Sequence, residues 1–224
     1  MKDKFSVIIP TRNEEKTIEE IIKQASKYCN DIIVVDGHSK DKTREIASSL
    51  KARVVLDDKK GKGAALKIAA SHSNMDIILF IDADGSHEIN DIPKLVKPIL
   101  DGKADLVIAS RMLGGSDELH GTISNFLRNL GSNLVQLAIN YRFNVRLTDC
   151  ENGFRAIKRD VFNKLDLKAN DFDIEEEIVL KSLKKKYRIM EIPSHEYERR
   201  FGKSQLSLFR IGYKFIYRLL INMF

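Results

Sequence analysis

The feature that most constrains the fold of this chain is a regular alternation of short β-branched runs with longer segments of helical pattern. Five runs occupy the first half: "FSVIIP" at 5–10, "DIIVVD" at 31–36, "ARVVL" at 52–56, "DIILFID" at 76–82 and "ADLVIAS" at 104–110. The segments between them, such as "NEEKTIEEIIKQASKY", have helical patterning. This order predicts an α/β fold with a mostly parallel sheet, and continuous apolar strands predict helices on both of its faces.

Polar side chains follow three of the predicted strands at the point where each strand ends. They are Thr11, Arg12, Asn13 and Glu14 after the first strand, Asp36 at the end of the second, and Asp82 and Asp84 at the end of the fourth. Ligands of open α/β sheets bind outside the carboxyl ends of the strands. We therefore expect these side chains to converge on one site.

The stretch "FIDADGSH" at 80–87 places Asp82 and Asp84 one residue apart directly after an apolar strand. An Asp-x-Asp pair is often a helix cap or a solvated turn. Here, however, the pair stands at a predicted ligand edge, and Mg²⁺ is usually held by one or two carboxylates together with substrate phosphates. We interpret Asp82 and Asp84 as ligands of a divalent cation that binds a diphosphate.

Length and charge give the broad class. A chain of 224 residues with 43% hydrophobic content can build one substantial domain. Residues 1–110 carry 18 basic and 18 acidic side chains, whereas residues 111–224 carry 20 and 14, so the net charge of +6 lies in the second half. This excess predicts an anionic partner for that half, unless it is only a solvated basic face. Two cysteines without metal-site spacing argue against a disulfide framework or a structural zinc site.

Several motifs together resemble the family 2 glycosyltransferases of GT-A fold. They are "SVIIPTRNEEKTI", "VVDGHSKDKT", "GKGAALKIA", "ILFIDADGSH" and "NGFRAIKRDVF", and they occur in the family's order and spacing. Within the family, the chain is most similar to dolichyl-phosphate mannose synthases and related polyprenyl-phosphate sugar transferases, over about residues 5–205. The resemblance implies inverting transfer of a hexose from a GDP- or UDP-linked donor to a polyprenyl phosphate, with Mg²⁺ or Mn²⁺.

The resemblance also implies roles for individual residues. The nucleotide sugar would contact Pro10, Thr11, Asn13, Glu14, Asp36, Lys62, Gly63, Asp82 and Ala83. The acceptor phosphate would contact Arg111, Arg155, Arg199, Arg200 and Ser204. Catalysis would rest on Asp84, Arg111 and Asp149. For Asp36 an alternative is a capping or turn aspartate in "DGHSKDKT".

The chain departs from the mannose synthases at two places. Ser86 stands where they usually carry Gln after the second Asp, and "YERRFGKSQ" has Glu198 and Gln205 where they tend to carry basic residues. The identity of the donor sugar and nucleotide, the choice of metal and the third metal ligand are therefore left open.

Other functions remain alternatives. If the acceptor were a sugar hydroxyl, a general base would be required, and Asp149 or the acidic cluster Glu175–Glu177 could supply it. That cluster could instead be a solvated first turn of a helix. A sugar nucleotidyltransferase is less favoured because "IPTRNEEKTI" lacks a glycine-rich loop. Nucleic-acid binding is disfavoured because carboxylates at the strand ends would repel phosphates.

The C-terminal segment "LSLFRIGYKFIYRLLINMF" at 206–224 predicts an amphipathic helix at a membrane surface. Arg210, Lys214 and Arg218 would form one basic stripe facing anionic headgroups. The segment at 122–141 is expected to assist. We therefore predict a catalytic domain at 1–204, with a nucleotide-sugar-binding half at 1–110 and an acceptor-binding half at 111–204. We also predict a surface helix at 205–224 and peripheral association with the cytoplasmic membrane face. The alternative is that both helices pack on the sheet or join two copies of the chain.

Overall fold

The computed structural model describes residues 4–117, 123–201 and 208–223, with side chains described from residue 130 onward in the second range and from residue 212 onward in the third. Its seven strands are β1 (Phe5–Thr11), β2 (Asp31–Asp36), β3 (Arg53–Leu56), β4 (Ile77–Phe80), β5 (Leu106–Ser110), β6 (Arg155–Lys158) and β7 (Ile189–Pro193). They form one sheet of order β3-β2-β1-β4-β6-β5-β7.

Six of the seven strands run parallel to one another, and β6 is antiparallel to both neighbours, β4 and β5. The five strands predicted from the first half are confirmed. Strands β6 and β7 were not predicted, because "RAIK" and "IMEIP" are short and contain charged residues instead of a continuous apolar run. Since β6 lies between β4 and β5, residues 1–110 and 111–204 contribute to the same sheet.

Helices cover both faces of the sheet, as predicted. They are α1 (Ile18–Ala25), α2 (Thr43–Ser49), α3 (Lys62–Ser71), α4 (Ile92–Leu100), α5 (Arg111–Gly114), α6 (Ile123–Phe143), α7 (Arg159–Lys164), α8 (Ile174–Lys184) and α9 (Leu208–Met223). One core cluster joins the sheet to α1 and α4. The other joins the opposite face to α3, α6, α7 and α8. Successive residues of β1, such as Val7 and Ile8, belong to opposite clusters because strand side chains alternate between the two faces.

The strand order reverses direction between β1 and β4. From β1 the chain proceeds outward through β2 and β3, and then returns to place β4 on the other side of β1. Such a reversal opens a crevice at the carboxyl ends of the two strands, which is where doubly wound sheets bind ligands. Residues Thr11, Asp82 and Asp84 therefore lie at this crevice.

The C-terminal helix α9 forms as predicted and packs against α6 and α8. Arg142 Nε, near the end of α6, donates to the carbonyl oxygen of Met223 at 2.8 Å, which ties the two helices together. Within the ranges that the structure describes, no helix combines the length and apolar character needed to cross a bilayer.

Candidate active site

A cavity of about 1400 Å³ runs along the carboxyl edge of the sheet. It begins beside Thr11 at the end of β1, passes Asp82 and Asp84, and reaches Leu134 of α6 and Ile216 of α9. The predicted site residues that line it are Pro10, Thr11, Glu14, Lys62, Asp82, Ala83, Asp84, Arg111, Asp149 and Arg199. The sheet edge thus brings together most of the side chains that the sequence placed in one site.

Asn13 and Asp36 stabilise the loops that follow β1 and β2 at one end of this cavity. Asp36 is fully buried and accepts hydrogen bonds from the backbone amide of Ser39 at 2.9 Å and from its hydroxyl at 2.5 Å. Asn13 adopts a left-handed conformation with φ 58°, and its side-chain oxygen accepts from the backbone amide of Lys40 at 2.8 Å. Asp36 therefore makes the turn contacts that were its alternative interpretation, and the neighbouring His38 lines the cavity.

Asp82 has two basic partners, a lysine and a histidine. Lys62 Nζ lies 2.6 Å from Asp82 Oδ1, and His87 Nε2 lies 3.5 Å from Asp82 Oδ2. Burial favours the neutral carboxyl, but the charge of Lys62 and the hydrogen bond to His87 outweigh it and hold the pKa of Asp82 well below its usual range. Asp82 is therefore a carboxylate at neutral pH. His87, which the sequence left unassigned, belongs to the site.

The glycines of "GKGAA" allow the close backbone approach that fixes Lys62 at the start of α3. A Cβ on Gly61, whose φ is +120°, would lie 2.5 Å from the carbonyl oxygen of Asn170. A Cβ on Gly63 would lie 2.8 Å from the carbonyl oxygen of Ala169. Both glycines thus contact the chain ahead of α8, and this packing holds Lys62 beside Asp82.

Asp84 lies two residues farther along and has different partners. Its Oδ1 accepts from the backbone amide of Ser86 at 3.0 Å and from the Ser86 hydroxyl at 2.7 Å. Its Oδ2 lies 2.7 Å from Arg199, whose other terminal nitrogen lies 3.5 Å from Glu14 Oε1. Burial raises the pKa of Glu14 to about 7, although the charge of Arg199 opposes this. Ser86 therefore orients Asp84, which gives a physical role to the residue that replaces the family's Gln.

The carboxylate oxygens at this edge of the sheet fit a hard divalent cation. Asp82 and Asp84 offer carboxylate oxygens at the crevice, and each is already paired with a protein cation. Among the residues that the structure describes, no cluster of three or more histidine, cysteine or carboxylate side chains could by itself hold an ion. One or two carboxylates completed by substrate phosphates are the usual arrangement for Mg²⁺. The site therefore suits a metal that arrives with a diphosphate.

Arg111 and Asp149, both predicted to be catalytic, form a two-point ion pair. Arg111 Nε lies 2.6 Å from Asp149 Oδ2, and a terminal nitrogen lies 2.9 Å from Oδ1. Burial disfavours the charged forms, but the mutual attraction lowers the pKa of Asp149 and raises that of Arg111. Asp149 is consequently an ionised carboxylate committed to Arg111, which argues against its use as a general base. The remaining guanidinium nitrogen faces Glu196 at 3.5 Å.

Sequence reasoning missed the two glutamates that position this pair. Glu191 of β7 accepts hydrogen bonds from the backbone amides of Thr148 and Asp149 at 2.7–2.9 Å. Glu196 accepts from the hydroxyl of Ser116 at 2.6 Å and lies beside Arg111. No local motif marks either residue. Their role depends on β7 pairing with β5, which the short strand sequence did not reveal.

Of the predicted acceptor residues, Arg155 and Arg200 do not line the cavity. Arg155 is 1% exposed, and its guanidinium donates to the carbonyl oxygens of Cys150, Asn152 and Glu175. The expectation that it binds the acceptor phosphate is therefore inconsistent with the structure, in which it ties β6 to the loops around it. Arg200 pairs with Glu20 of α1 at 2.6 Å. Ser204 lies outside the described residues.

The acidic cluster at the start of α8 is buried, so its interpretation as a solvated first turn is wrong. Glu175 lies 2.9 Å from Lys62, and Glu177 accepts from backbone amides ahead of α8 and pairs with Arg218 at 3.1 Å. Glu176 is fully buried, its carboxyl oxygens have no hydrogen-bond partner among the described residues, and burial raises its pKa to about 9. These carboxyl groups have structural partners or are protonated, which makes them poor candidates for a general base.

The basic stripe of α9 faces the protein. Lys214 pairs with Asp171 at 2.7 Å, and Arg218, only 7% exposed, pairs with Asp173 at 2.7 Å. The expectation that these two cations meet anionic headgroups is wrong, because they satisfy the acidic residues at the start of α8. The side chain of Arg210, the third member of the predicted stripe, lies outside the described side chains.

Comparison with known proteins gives a consistent result. Residues 6–166 match the model of the family described as "Glycosyl transferase family 2". The chain is 27% identical over 246 residues to the UDP-N-acetylglucosamine–dolichyl-phosphate N-acetylglucosaminyltransferase of Methanococcus voltae, covering 99% of this chain and 97% of that protein. It is 29% identical to a low-salt glycan biosynthesis hexosyltransferase of Haloferax volcanii, covering 97% of this chain but 53% of that protein.

Among solved structures, glucosyl-3-phosphoglycerate synthase from Mycobacterium tuberculosis, crystallised with Mn²⁺, UDP and glucosyl-3-phosphoglycerate, superposes with a TM-score of 0.77. The match covers 99% of this chain and 80% of that protein at 23% identity. At this identity the superposition shows the fold alone. It confirms the predicted α/β architecture with a mostly parallel sheet.

Proposed function

Because this chain belongs to glycosyl transferase family 2, we propose that it transfers a hexose from a nucleotide sugar to the phosphate of a polyprenyl phosphate at a membrane surface. Its activity as a glycosyltransferase follows from the family. The acceptor, the metal and the membrane are the proposed parts. The observation that carries them is the course of the cavity, which joins the carboxylate pair Asp82 and Asp84 to an apolar end between α6 and α9.

The donor would bind at the crevice between β1 and β4. Lys62, 2.6 Å from Asp82, contributes positive charge close to where a diphosphate would meet the carboxylates. A divalent cation bound there would neutralise charge on the leaving nucleoside diphosphate. Arg12 and Lys40 line the same end of the cavity and add positive charge near the nucleotide. The Methanococcus voltae relative, named for a UDP-linked donor, supports a nucleotide sugar of this class.

The acceptor phosphate would bind beside Arg111. With two nitrogens committed to Asp149, the guanidinium is held in a fixed orientation, and Arg111 still lines the cavity. A phosphate monoester has its second pKa near 6, so it arrives mostly ionised and needs no strong base. A phosphate oxygen then attacks the anomeric carbon as the bond to the donor diphosphate breaks, which inverts that carbon. The engagement of Asp149 by Arg111 favours this acceptor over a sugar hydroxyl, which would need a free base.

The apolar end of the cavity opens toward an exposed two-helix face, which we name the α6/α9 face. It consists of Leu130, Leu134, Leu137 and Tyr141 on α6 and Tyr213, Ile216, Tyr217, Leu220 and Ile221 on α9. Their spacing places each set on one side of its helix. Contiguous exposed apolar surface of this kind marks an interaction site, and a lipid acceptor makes the bilayer its natural occupant. We therefore propose that the chain contacts the membrane through this apolar face and not through the basic stripe.

Substitution of Arg111 tests the acceptor assignment. Arg111→Gln should raise the acceptor KM for a short-chain polyprenyl phosphate by at least about tenfold, because a charge-assisted contact to phosphate is lost. The donor KM should change much less. Arg111→Lys should restore activity only in part, since lysine cannot pair with Asp149 at two points while contacting phosphate. Equal losses for donor and acceptor would contradict the assignment.

A further inference from the structure

Each of the two proposed metal carboxylates is already neutralised by a protein cation. Lys62 lies 2.6 Å from Asp82, and Arg199 lies 2.7 Å from Asp84. Arg199 also reaches Glu14 at 3.5 Å, so its guanidinium stands between two carboxyl groups at the crevice. Arg199 therefore engages a carboxylate oxygen of Asp84 that the proposed divalent cation would also need.

The two cations differ in how they are held. Lys62 begins α3, its flanking glycines pack on backbone atoms, and it also contacts Glu175 at 2.9 Å. Arg199 belongs to a segment that is neither helix nor strand. Within the described part of the chain, its ion pairs are with Asp84 and Glu14. Lys62 is therefore a fixed part of the site, whereas Arg199 is held through the carboxylates themselves.

A guanidinium and a divalent cation cannot share Asp84 without strong repulsion, because little water separates them in a mostly buried site. On the basis of the proposed function, we infer that Arg199 occupies the metal position as a placeholder cation, and that the arriving metal and donor displace it toward the acceptor phosphate. The released guanidinium can then form the two-point contact that phosphate favours. The site consequently binds metal and donor before it becomes fully competent for acceptor.

The placeholder role makes two predictions of opposite sign. Removing Arg199 frees Asp84 and should tighten metal binding, while it removes a cation from the acceptor and should weaken acceptor binding. With an internal competitor, the apparent Kd for the metal equals the intrinsic Kd divided by the fraction of time that the site is free. If Asp84 is free about one tenth of the time, Arg199→Gln should lower the Mn²⁺ Kd by about tenfold. A merely structural residue would weaken both.

The experiment measures Mn²⁺ binding to the full chain without donor, by the loss of the free-ion electron paramagnetic resonance signal, and acceptor KM in steady state. Arg199→Gln should bind Mn²⁺ more tightly than wild type and show an acceptor KM raised at least tenfold. Arg199→Lys retains the charge and should leave the Mn²⁺ Kd within about threefold of wild type. Arg53→Gln serves as the control. It removes an arginine that lies outside the crevice and pairs with Asp31 at a distance of 2.5 Å.

The outcomes separate this inference from the proposed function. Measurable Mn²⁺ binding by wild type, with equal or weaker binding by Arg199→Gln, would overturn the placeholder role while leaving metal-dependent transfer intact. Absence of Mn²⁺ binding by wild type and by Arg199→Gln, with or without UDP or GDP, would overturn both. Tighter binding with an unchanged acceptor KM would overturn delivery of Arg199 to the acceptor.

Discussion

Gly153 lies against Asp82 so closely that a Cβ on Gly153 would stand 2.5 Å from Asp82 Oδ2 and 3.0 Å from Lys62 Nζ. Because Gly153 of the motif "NGFR" has no side chain, the ion pair of Asp82 and Lys62 lies directly against its backbone. Both atoms that an added methyl group would strike are ends of side chains. The fold can accommodate that methyl group, whereas the ion pair must move.

Gly153→Ala should accordingly impair the site more than the fold. We expect the melting temperature to fall by only a few degrees, as for a loss of about 1 kcal/mol. The KM for the nucleotide sugar should rise by about tenfold, because Asp82 and Lys62 are displaced. Gly131→Ala in α6, where an added Cβ meets nothing within 4 Å, is the matched control. An unchanged donor KM in Gly153→Ala would refute this view of the motif.

Neutralising Asp84 tests the proposed metal site. Asp84→Asn keeps the shape of the side chain but removes the charge that a hard cation requires, so kcat/KM should fall by about 10³-fold. Circular dichroism should remain that of wild type, since Asp84 stands at the crevice and not in the apolar core. The exposed Asp101, paired with Lys97 at 2.9 Å, offers the control Asp101→Asn. Near-normal turnover of Asp84→Asn at limiting metal would exclude Asp84 as a ligand.

Glu176 makes the stability of the fold depend on pH. Burial raises its pKa from 4.5 to about 9, so between these values the folded chain keeps a proton that the unfolded chain releases. The free energy of unfolding should therefore fall as pH rises from 5.5 to 8.5, by about 4 kcal/mol. Glu176→Gln, which stays neutral, should remove most of this decline in urea titrations, whereas Glu45→Gln at an exposed position should leave it. If the free energy of unfolding of Glu176→Gln still declined with pH as in wild type, a group other than Glu176 would be the cause.

Several features of the site follow directly from the sequence. The apolar runs located five strands, and the rule that ligands bind at their carboxyl ends brought Thr11, Glu14, Asp82 and Asp84 to one crevice. This worked because β1, β2, β4 and β5 are continuous apolar runs that are almost entirely buried. Arg155 illustrates the limit: a charged residue in "FRAIK" indicates a surface position, but the insertion of β6 between two central strands buries it. Non-local strand pairing of this kind leaves no periodic signal.

The same limit applies to the C-terminal helix. Its pattern correctly predicts an amphipathic helix, but two of its faces are candidates for burial, one basic and one apolar. Which face is buried depends on two acidic residues 40–50 positions earlier in the chain. Asp171 forms an ion pair with Lys214, and Asp173 forms one with Arg218. Long-range ion pairing therefore decided the orientation, and the sequence pattern alone could not.

The α6/α9 face provides a test of the membrane proposal. Leu137 and Leu220 are 65% and 57% exposed, so Leu137→Gln with Leu220→Gln should change stability by little while removing apolar area from the face. Co-sedimentation with phospholipid vesicles should fall several-fold, and binding by wild type should depend only weakly on salt because Lys214 and Arg218 are paired internally. Leu100→Gln, on the exposed end of α4, is the control. Undiminished sedimentation of the double variant would rule out this face as the membrane contact.

The most direct test of transfer to a lipid phosphate compares two acceptors that differ only in the phosphate. Purified full-length protein is incubated with radiolabelled UDP- and GDP-hexoses and either a short-chain polyprenyl phosphate or the matching polyprenol, with Mn²⁺, Mg²⁺ or EDTA. We expect that one donor yields a lipid-phosphate-linked sugar and that EDTA abolishes the product. The polyprenol should accept the sugar at least about 10³-fold more slowly, because it lacks the ionised oxygen that attacks without a base. Equal or faster transfer to the polyprenol, or to a glycan hydroxyl, would contradict transfer to a lipid phosphate.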